Sequence, residues 1–186
     1  MHVVKHFIRI TNHRLLVMKM CFQCGLYWRG LTHDLSKYSK VEFLEGAKYY
    51  VKTHSSVLEC QRKTGKSEAW LHHKGRNPHH PEYWVDKEGP IMMPYAYVVE
   101  SICDRIAAGK TFKKKKFKQT FPLKYWYDHL DFAPVHEKTA RFYEQVFTEL
   151  ARKGESYILN KKYMKKTYKE ICEDQKSIKI KVVKDD

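Results

Sequence analysis

Histidine and aspartate recur in this chain in an order that suits metal chemistry. His13 stands alone, and His33 and Asp34 are adjacent in "GLTHDLSKYS". His72 and His73, then His79 and His80, come as pairs within "LHHKGRNPHHPEYW", and Asp104 lies in "YVVESICDRIAAGK". Imidazoles and carboxylates from several helices can converge on one cation, as in helical-bundle metal sites. Such donors suit a transition metal. Each residue alone has an ordinary reading: His13 as a helix-surface residue, His33–Asp34 as a helix-end pair, the later histidines as a solvated loop, Asp104 as a partner of Arg105. The joint order favours one or two divalent ions, among Mn, Fe, Co, Ni, Zn and Mg.

The order His13, His33–Asp34, Asp104 resembles that of the HD-domain metal-dependent phosphohydrolases, and that resemblance implies the following roles. Ligands His13, His33, Asp34 and Asp104 would leave coordination positions for water and a phosphoryl oxygen, giving a Lewis acid and an activated water. Asp34 would orient that water and bridge toward a second ion. Lys37, about one helical turn after Asp34, would place a point charge on phosphate. His73, with His72, His79 and His80, would hold the second ion or donate a proton to the leaving oxygen. Asp34, Lys37 and His73 are thus the expected catalytic groups, and Lys37, Lys74 and Arg76 the expected phosphate contacts. Glu68 and Glu100 are lesser candidates for acid–base work or for supporting the ligands, with ordinary helix-surface carboxylates as the favoured reading.

The elements that must position these groups are helical. Residues 3–24 carry Val4, Phe7, Ile8, Leu15, Leu16, Met18 and Phe22 at three-to-four spacing, the mark of a helix with an apolar face. Leu31 and Leu35, four apart, are expected to share an inward helix face beside His33 and Asp34. Ser39 with Glu42 three residues on reads as a capping box opening a helix to about Lys52, with Phe43, Ala47 and Tyr50 inside. Residues 54–66 suggest a short helix and a loop, and Ser67 opens a helix ending near Gly75. Pro78 and Pro81 exclude a helix through "NPHHP", and "KEGP" is a turn. Pro94 starts a helix to Gly109. Helices are expected at 121–131 and 135–152, with "SIKIKVVK" as a terminal strand or arm. Trp28, Trp70, Tyr83 and Trp84 are expected to pack on the core. The fold class is all-α: a helical domain over residues 1–153 and a Lys-rich extension over 154–186.

Composition bounds the function. Lys and Arg total 36 against 21 Asp and Glu, a net charge of +15. That charge attracts phosphate-bearing partners, either small molecules or nucleic acid. "KKKK" at Lys113 to Lys116, between Phe112 and Phe117, and Lys161, Lys162, Lys165 and Lys166 are the basic runs. The 5 cysteines are an odd number at scattered positions, which argues against a disulfide framework and for a reducing, cytoplasmic setting. "CFQC" reads as two small apolar residues on a helix. The apolar run "LLVM" is too short for a membrane span, and no membrane partner is expected.

The order His13, His33–Asp34, Asp104 resembles the HD-domain superfamily of metal-dependent phosphohydrolases, and "HDLSK" resembles a form found in several of its branches. The resemblance implies an HD-like helical bundle. It assigns His13 to the first-helix ligand, His33 and Asp34 to the adjacent pair and Asp104 to the last-helix ligand. His72 or His73, with His79 or His80, would take second-ion positions, and Lys37 a phosphate-facing one. "NPHHPEYW" departs from the signature of cyclic-dinucleotide hydrolases, so that activity is not implied. More narrowly, "WRGLTHDLSKYS", "AWLHHKGRNPHHPEYW" and "MPYAYVVESICDRIAAGK" resemble a bacterial and phage family of no assigned function, over about residues 10–150. The expected function is hydrolysis of a phosphomonoester or phosphodiester of a nucleotide or short nucleic acid. The alternatives are a nucleic-acid-binding accessory protein with an inactive HD-like site, and a domain whose metal is purely structural.

Overall fold

The computed structural model describes residues 1–129 and 134–173, and in it the chain is an all-α helical bundle. Helix α1 (Val3–Gln23) leads to a short α2 (Tyr27–Thr32) and a 3-10 turn at Leu35–Tyr38. Then follow α3 (Lys40–Lys48), α4 (Ser56–Thr64) and α5 (Glu68–Lys74). A 3-10 turn at Pro81–Tyr83 leads into a two-stranded ribbon, β1 (Val85–Asp86) with β2 (Gly89–Pro90) antiparallel, Asp86 opposite Gly89. Long helix α6 (Tyr95–Lys113) crosses the molecule. It is followed by α7 (Phe121–His129), α8 (Glu137–Lys153), α9 (Glu155–Ile158) and α10 (Lys161–Tyr168), with a π-helical turn at Lys169–Glu173. The expected strand "SIKIKVVK" and the last residues of the helix expected at 121–131 lie outside the described residues.

Local chemistry sets the helix starts. Ser39, Ser55 and Ser67 each accept a hydrogen bond from the backbone three residues on, capping α3, α4 and α5. Pro94 occupies the flanking cap position of α6 rather than its first turn. Helix α4 ends where Gly65 takes φ 77°, a left-handed conformation that glycine enters without a Cβ clash.

The core joins α1, α6, α8 and the C-terminal helices. Val17 and Cys21 of α1, Ile102 and Ile106 of α6, and Phe142 and Phe147 of α8 are fully buried in one cluster. Cys21 and Cys24 are buried, free and part of it. The boundary expected after Lys153 does not divide this core. Ile158, Leu159, Met164, Tyr168 and Cys172 are buried in the same cluster, because the lysines of α10 leave every third or fourth position apolar and that stripe faces inward.

Two expected faces are reversed. Helix α1 buries His6, Ile10, His13, Val17, Met20 and Cys21, while Val4, Phe7, Ile8, Leu15 and Phe22 are exposed. Leu31 and Leu35 are also exposed, at 49% and 51%, because α2 stops at Thr32 and the chain turns at Asp34, with φ 54°. Of the aromatic residues expected inside, Trp28 is 73% exposed and Tyr83 45%, whereas Trp84 packs against Tyr97 at the edge of the core.

Candidate metal centre

Helix α1 supplies His13 from its buried face, and the break between α2 and the following 3-10 turn supplies His33 and Asp34. Arg14 holds that break in place: its Nε donates to the His33 carbonyl at 2.6 Å and its other arm to the Leu31 carbonyl at 3.1 Å. Satisfying these carbonyls is what allows the chain to leave helical geometry there. Helix α5 contributes His73, the Pro-bounded loop after it His79 and His80, and α6 both Glu100 and Asp104.

These side chains form three overlapping groups able to hold a metal ion: His13, His33, Asp34 and Asp104; Asp34, His73, His79 and His80; and His33, His79 and Glu100. Asp34 belongs to the first two and stands between them. Its Oδ2 lies 3.3 Å from His33 Nε2 and 3.9 Å from His13 Nε2; its Oδ1 lies 3.2 Å from His73 Nε2 and 3.5 Å from His79 Nε2. His13 Nε2 is also 2.8 Å from Asp104 Oδ1.

Carboxylates behind the imidazoles decide which nitrogens face inward. His33 Nδ1 donates to Glu100 Oε1 at 2.9 Å, and His79 Nδ1 stands 3.3 Å from the same oxygen. His73 Nδ1 donates to Glu42 Oε2 at 2.7 Å. Held in this way, His33 and His73 turn Nε2 toward Asp34, the arrangement typical of metal-ligating histidines. Arg29 Nε completes the Glu100 contact at 2.6 Å, its guanidinium lying over the Tyr97 ring. Asn77 donates to the His73 carbonyl and to Ser36 Oγ, both at 2.8 Å, tying the loop to the turn after Asp34.

The donor set fits a cation. Among the described residues, His33 Nε2, His79 Nε2 and both Asp34 oxygens are buried without a hydrogen-bond partner, although Lys37 Nζ forms an ion pair with one of those oxygens at 2.7 Å. Buried polar atoms are rarely left so. His73 Nε2 and His80 Nε2 lie 2.9 Å apart, close enough for both to serve one ion. The electrostatics agree. Burial alone would raise the pKa of Asp34, but His33, Lys37 and His73 hold it well below the usual carboxylate range. Burial likewise opposes ionisation of Glu100, and the hydrogen bonds from His33 and His79 outweigh it, bringing it to about 2. Asp104 is held low, against its burial, by His13 and His33. Burial works against a charged His33, yet Asp34, Asp104 and Glu100 raise its pKa well above the ordinary value. For His80, burial and the neighbouring His79 and His73 all push the pKa well down.

Some expected residues lie elsewhere. His72 is in none of these groups; its Nδ1 is turned to Glu42 Oε1 at 2.7 Å, because adjacent residues on α5 cannot point the same way. Lys74 is half-buried and Arg76 exposed, and neither makes a side-chain hydrogen bond or ion pair among the described residues. Glu68 is a surface carboxylate paired with Lys66. Glu100, expected on the surface, is fully buried. Glu42 was hidden by its own sequence context: Ser39 caps its backbone as expected, but its carboxylate turns to His72 and His73 instead of back to Ser39.

No curated protein and no solved structure matches the chain. A family model described as a family of unknown function, DUF5662, matches residues 2–149, which include every residue of the centre from His13 to Asp104. With that match spanning most of its length, the chain belongs to the DUF5662 family.

Proposed function

We propose that this protein is a metal-dependent phosphohydrolase that holds two divalent ions with Asp34 between them and cleaves a phosphomonoester or phosphodiester of a nucleotide or short nucleic acid. The observation that carries this reading is the position of Asp34, each of whose oxygens serves a different group of imidazoles. When bound, such ions supply Lewis-acid polarisation of a phosphoryl oxygen and a more acidic water.

The chain's own residues do the rest. His13, His33 and Asp104 face one side of Asp34, and His73, His79 and His80 the other. Glu100 and Glu42 hold the rings of His33 and His73 with Nε2 turned inward. The centre opens toward Lys37 and Asp104, whose side chains are 30% and 16% exposed while Asp34 and His33 are sealed. Lys37 is thus the cation an entering phosphate meets first, and it stabilises negative charge as it builds on the phosphoryl oxygens. His73 has both ring nitrogens engaged inside the centre, so we assign it to holding an ion instead of donating a proton. The positive surface draws in an anionic substrate.

The test is metal analysis of the purified protein and of Asp34→Ala and His33→Ala, followed by a panel of phosphomonoesters and phosphodiesters with added Mn or Co. Metal in the parent, its loss in both variants and turnover of at least one ester are expected. Unchanged metal content in the variants would refute the site. A metal-loaded parent silent across the whole panel would leave a structural metal and no hydrolase.

A further inference from the structure

The outward face of α1 has no role in the metal centre and is the wrong chemistry for a solvated helix. Val4, Ile8, Leu15 and Phe22 lie four and seven residues apart, on one line along the helix, and all are exposed, Val4 at 69%. Phe7 widens the line at one end, its ring 5.9 Å from Tyr38. At the other end Tyr27 packs on Phe22, and α2 presents Trp28 and Leu31 to the outside. The four exposed rings alone offer on the order of 400 Å² of open surface, which matches the largest apolar patch of a typical monomer before the aliphatic side chains are added.

The margin of this patch is basic. Between Met1 and Val41 the single acid is Asp34, buried in the metal centre, while Lys5, Lys19 and Lys40 are exposed. Arg9 lies over the Phe112 ring at 5.5 Å, which brings the end of α6 and the exposed Lys113 to Lys116 beside the N-terminal half of α1. At the other end the Lys161 side chain covers Gly25, where an added Cβ would meet its Cδ at 2.8 Å, so the lysines of α10 begin there. A second copy of the chain would set like charges against like across this face, which disfavours self-pairing.

We infer that α1 and α2 form a peripheral docking surface for an anionic lipid leaflet: the apolar line enters the headgroup boundary, the exposed lysines meet the lipid phosphates, and Tyr27 and Trp28 sit at the interface. This is the chemistry of helices that lie on a membrane. It departs from the expectation of no membrane partner. That expectation rested on the lack of a spanning run; among the described residues no helix is long and apolar enough to cross a membrane, and lying on one does not require it.

Full-length protein mixed with vesicles of phosphatidylglycerol and phosphatidylcholine tests the inference, with pure phosphatidylcholine vesicles as the reference. Co-sedimentation with the anionic vesicles, weaker at high salt, and a blue shift of tryptophan emission that Trp28→Phe removes are expected. Ile8→Glu with Leu15→Glu should lower the partition at least about tenfold. Lys5→Gln with Lys19→Gln, a milder change on solvated positions, should lower it several-fold, while circular dichroism stays that of the parent. Absence of binding to the anionic vesicles overturns the proposal. So does a concentration-dependent dimer dissociated by the Glu variant, or duplex DNA binding lost in that variant with no vesicle binding.

Discussion

His33 Nδ1 lies 2.9 Å from Glu100 Oε1, and through that bond the break that carries the His–Asp pair is fastened to the middle of α6. Glu100 also faces His79 and accepts from Arg29, so one buried carboxylate aligns donors from the α2 break and from the loop after α5. Glu100→Gln keeps its shape but replaces one acceptor oxygen with a donor. Metal affinity is expected to fall about 10- to 100-fold, the usual cost of losing a supporting carboxylate. Competition against a chelator measures it, and an affinity equal to the parent's would refute the role.

Glu42 should act more locally. It fixes His73, and through it the group on the Oδ1 side of Asp34, but it touches neither His13 nor His33. Glu42→Gln is therefore expected to weaken one ion selectively, so that bound metal drops toward half of the parent's with the tighter class retained. Metal titration by calorimetry resolves this. An equal loss of both classes would mean that the two groups are not separable.

How much of this was legible in the sequence depended on whether a residue's signal was chemical or geometric. The ligand types announced themselves, since His33–Asp34 and the His pairs are rare enough to be noticed. The supporting residues were fainter: Glu42 already had a capping explanation, and Glu100, a lesser candidate for a supporting role, sits on α6 among apolar neighbours with nothing to say which way it turns. Helix α1 was misread for a sharper reason. Its apolar period is real, but its buried face alternates His6, Ile10, His13 and Val17, and histidine scores as polar. Periodicity alone then picks the more hydrophobic face, which is the one left outside. The C-terminal helices were discounted because lysine dominates α10, although Met164, Thr167 and Tyr168 make its buried stripe.

His6 itself gives a pH prediction away from the metal centre. Burial, with Arg9 and Lys37 nearby, lowers its pKa to about 4 from an ordinary 6.5. Between those values the unfolded chain binds a proton that the folded chain refuses, so stability rises with pH across the window and is lost as pH falls through it. The upper bound on that loss is about 3 kcal/mol at 1.36 kcal/mol per unit. Denaturant unfolding at several pH values should show this slope for the parent and a flatter one for His6→Gln. Parallel slopes would rule out His6 as the source.

The contact that buries His6 makes a second stability test. Gly46 of α3 sits against the imidazole so closely that an added Cβ would lie 2.3 Å from Nε2. The ring has no free space to retreat into, since it packs on Phe43 at 5.3 Å and is itself buried. Gly46→Ala should therefore destabilise by about 1–3 kcal/mol, overriding alanine's better helix propensity. A gain in stability would show that α1 can slide away from α3 at little cost.

Truncation after Lys153 tests whether the C-terminal helices belong to the fold. Met164 and Ile158 are fully buried against the core, Tyr168 Oη donates to the Met93 carbonyl at 3.0 Å, and Lys138 Nζ donates to the Cys172 carbonyl at 2.9 Å. Removing these side chains uncovers Phe142 on α8, whose ring packs edge-on against Tyr168, and leaves the Met93 carbonyl without its donor. Each large buried side chain is worth about 2–5 kcal/mol, so the loss exceeds the stability of most single domains. The truncated chain should lack a cooperative thermal transition and bind a dye specific for exposed apolar surface. A cooperative transition at the parent's midpoint would mean that residues 1–153 close their own core without α9 and α10.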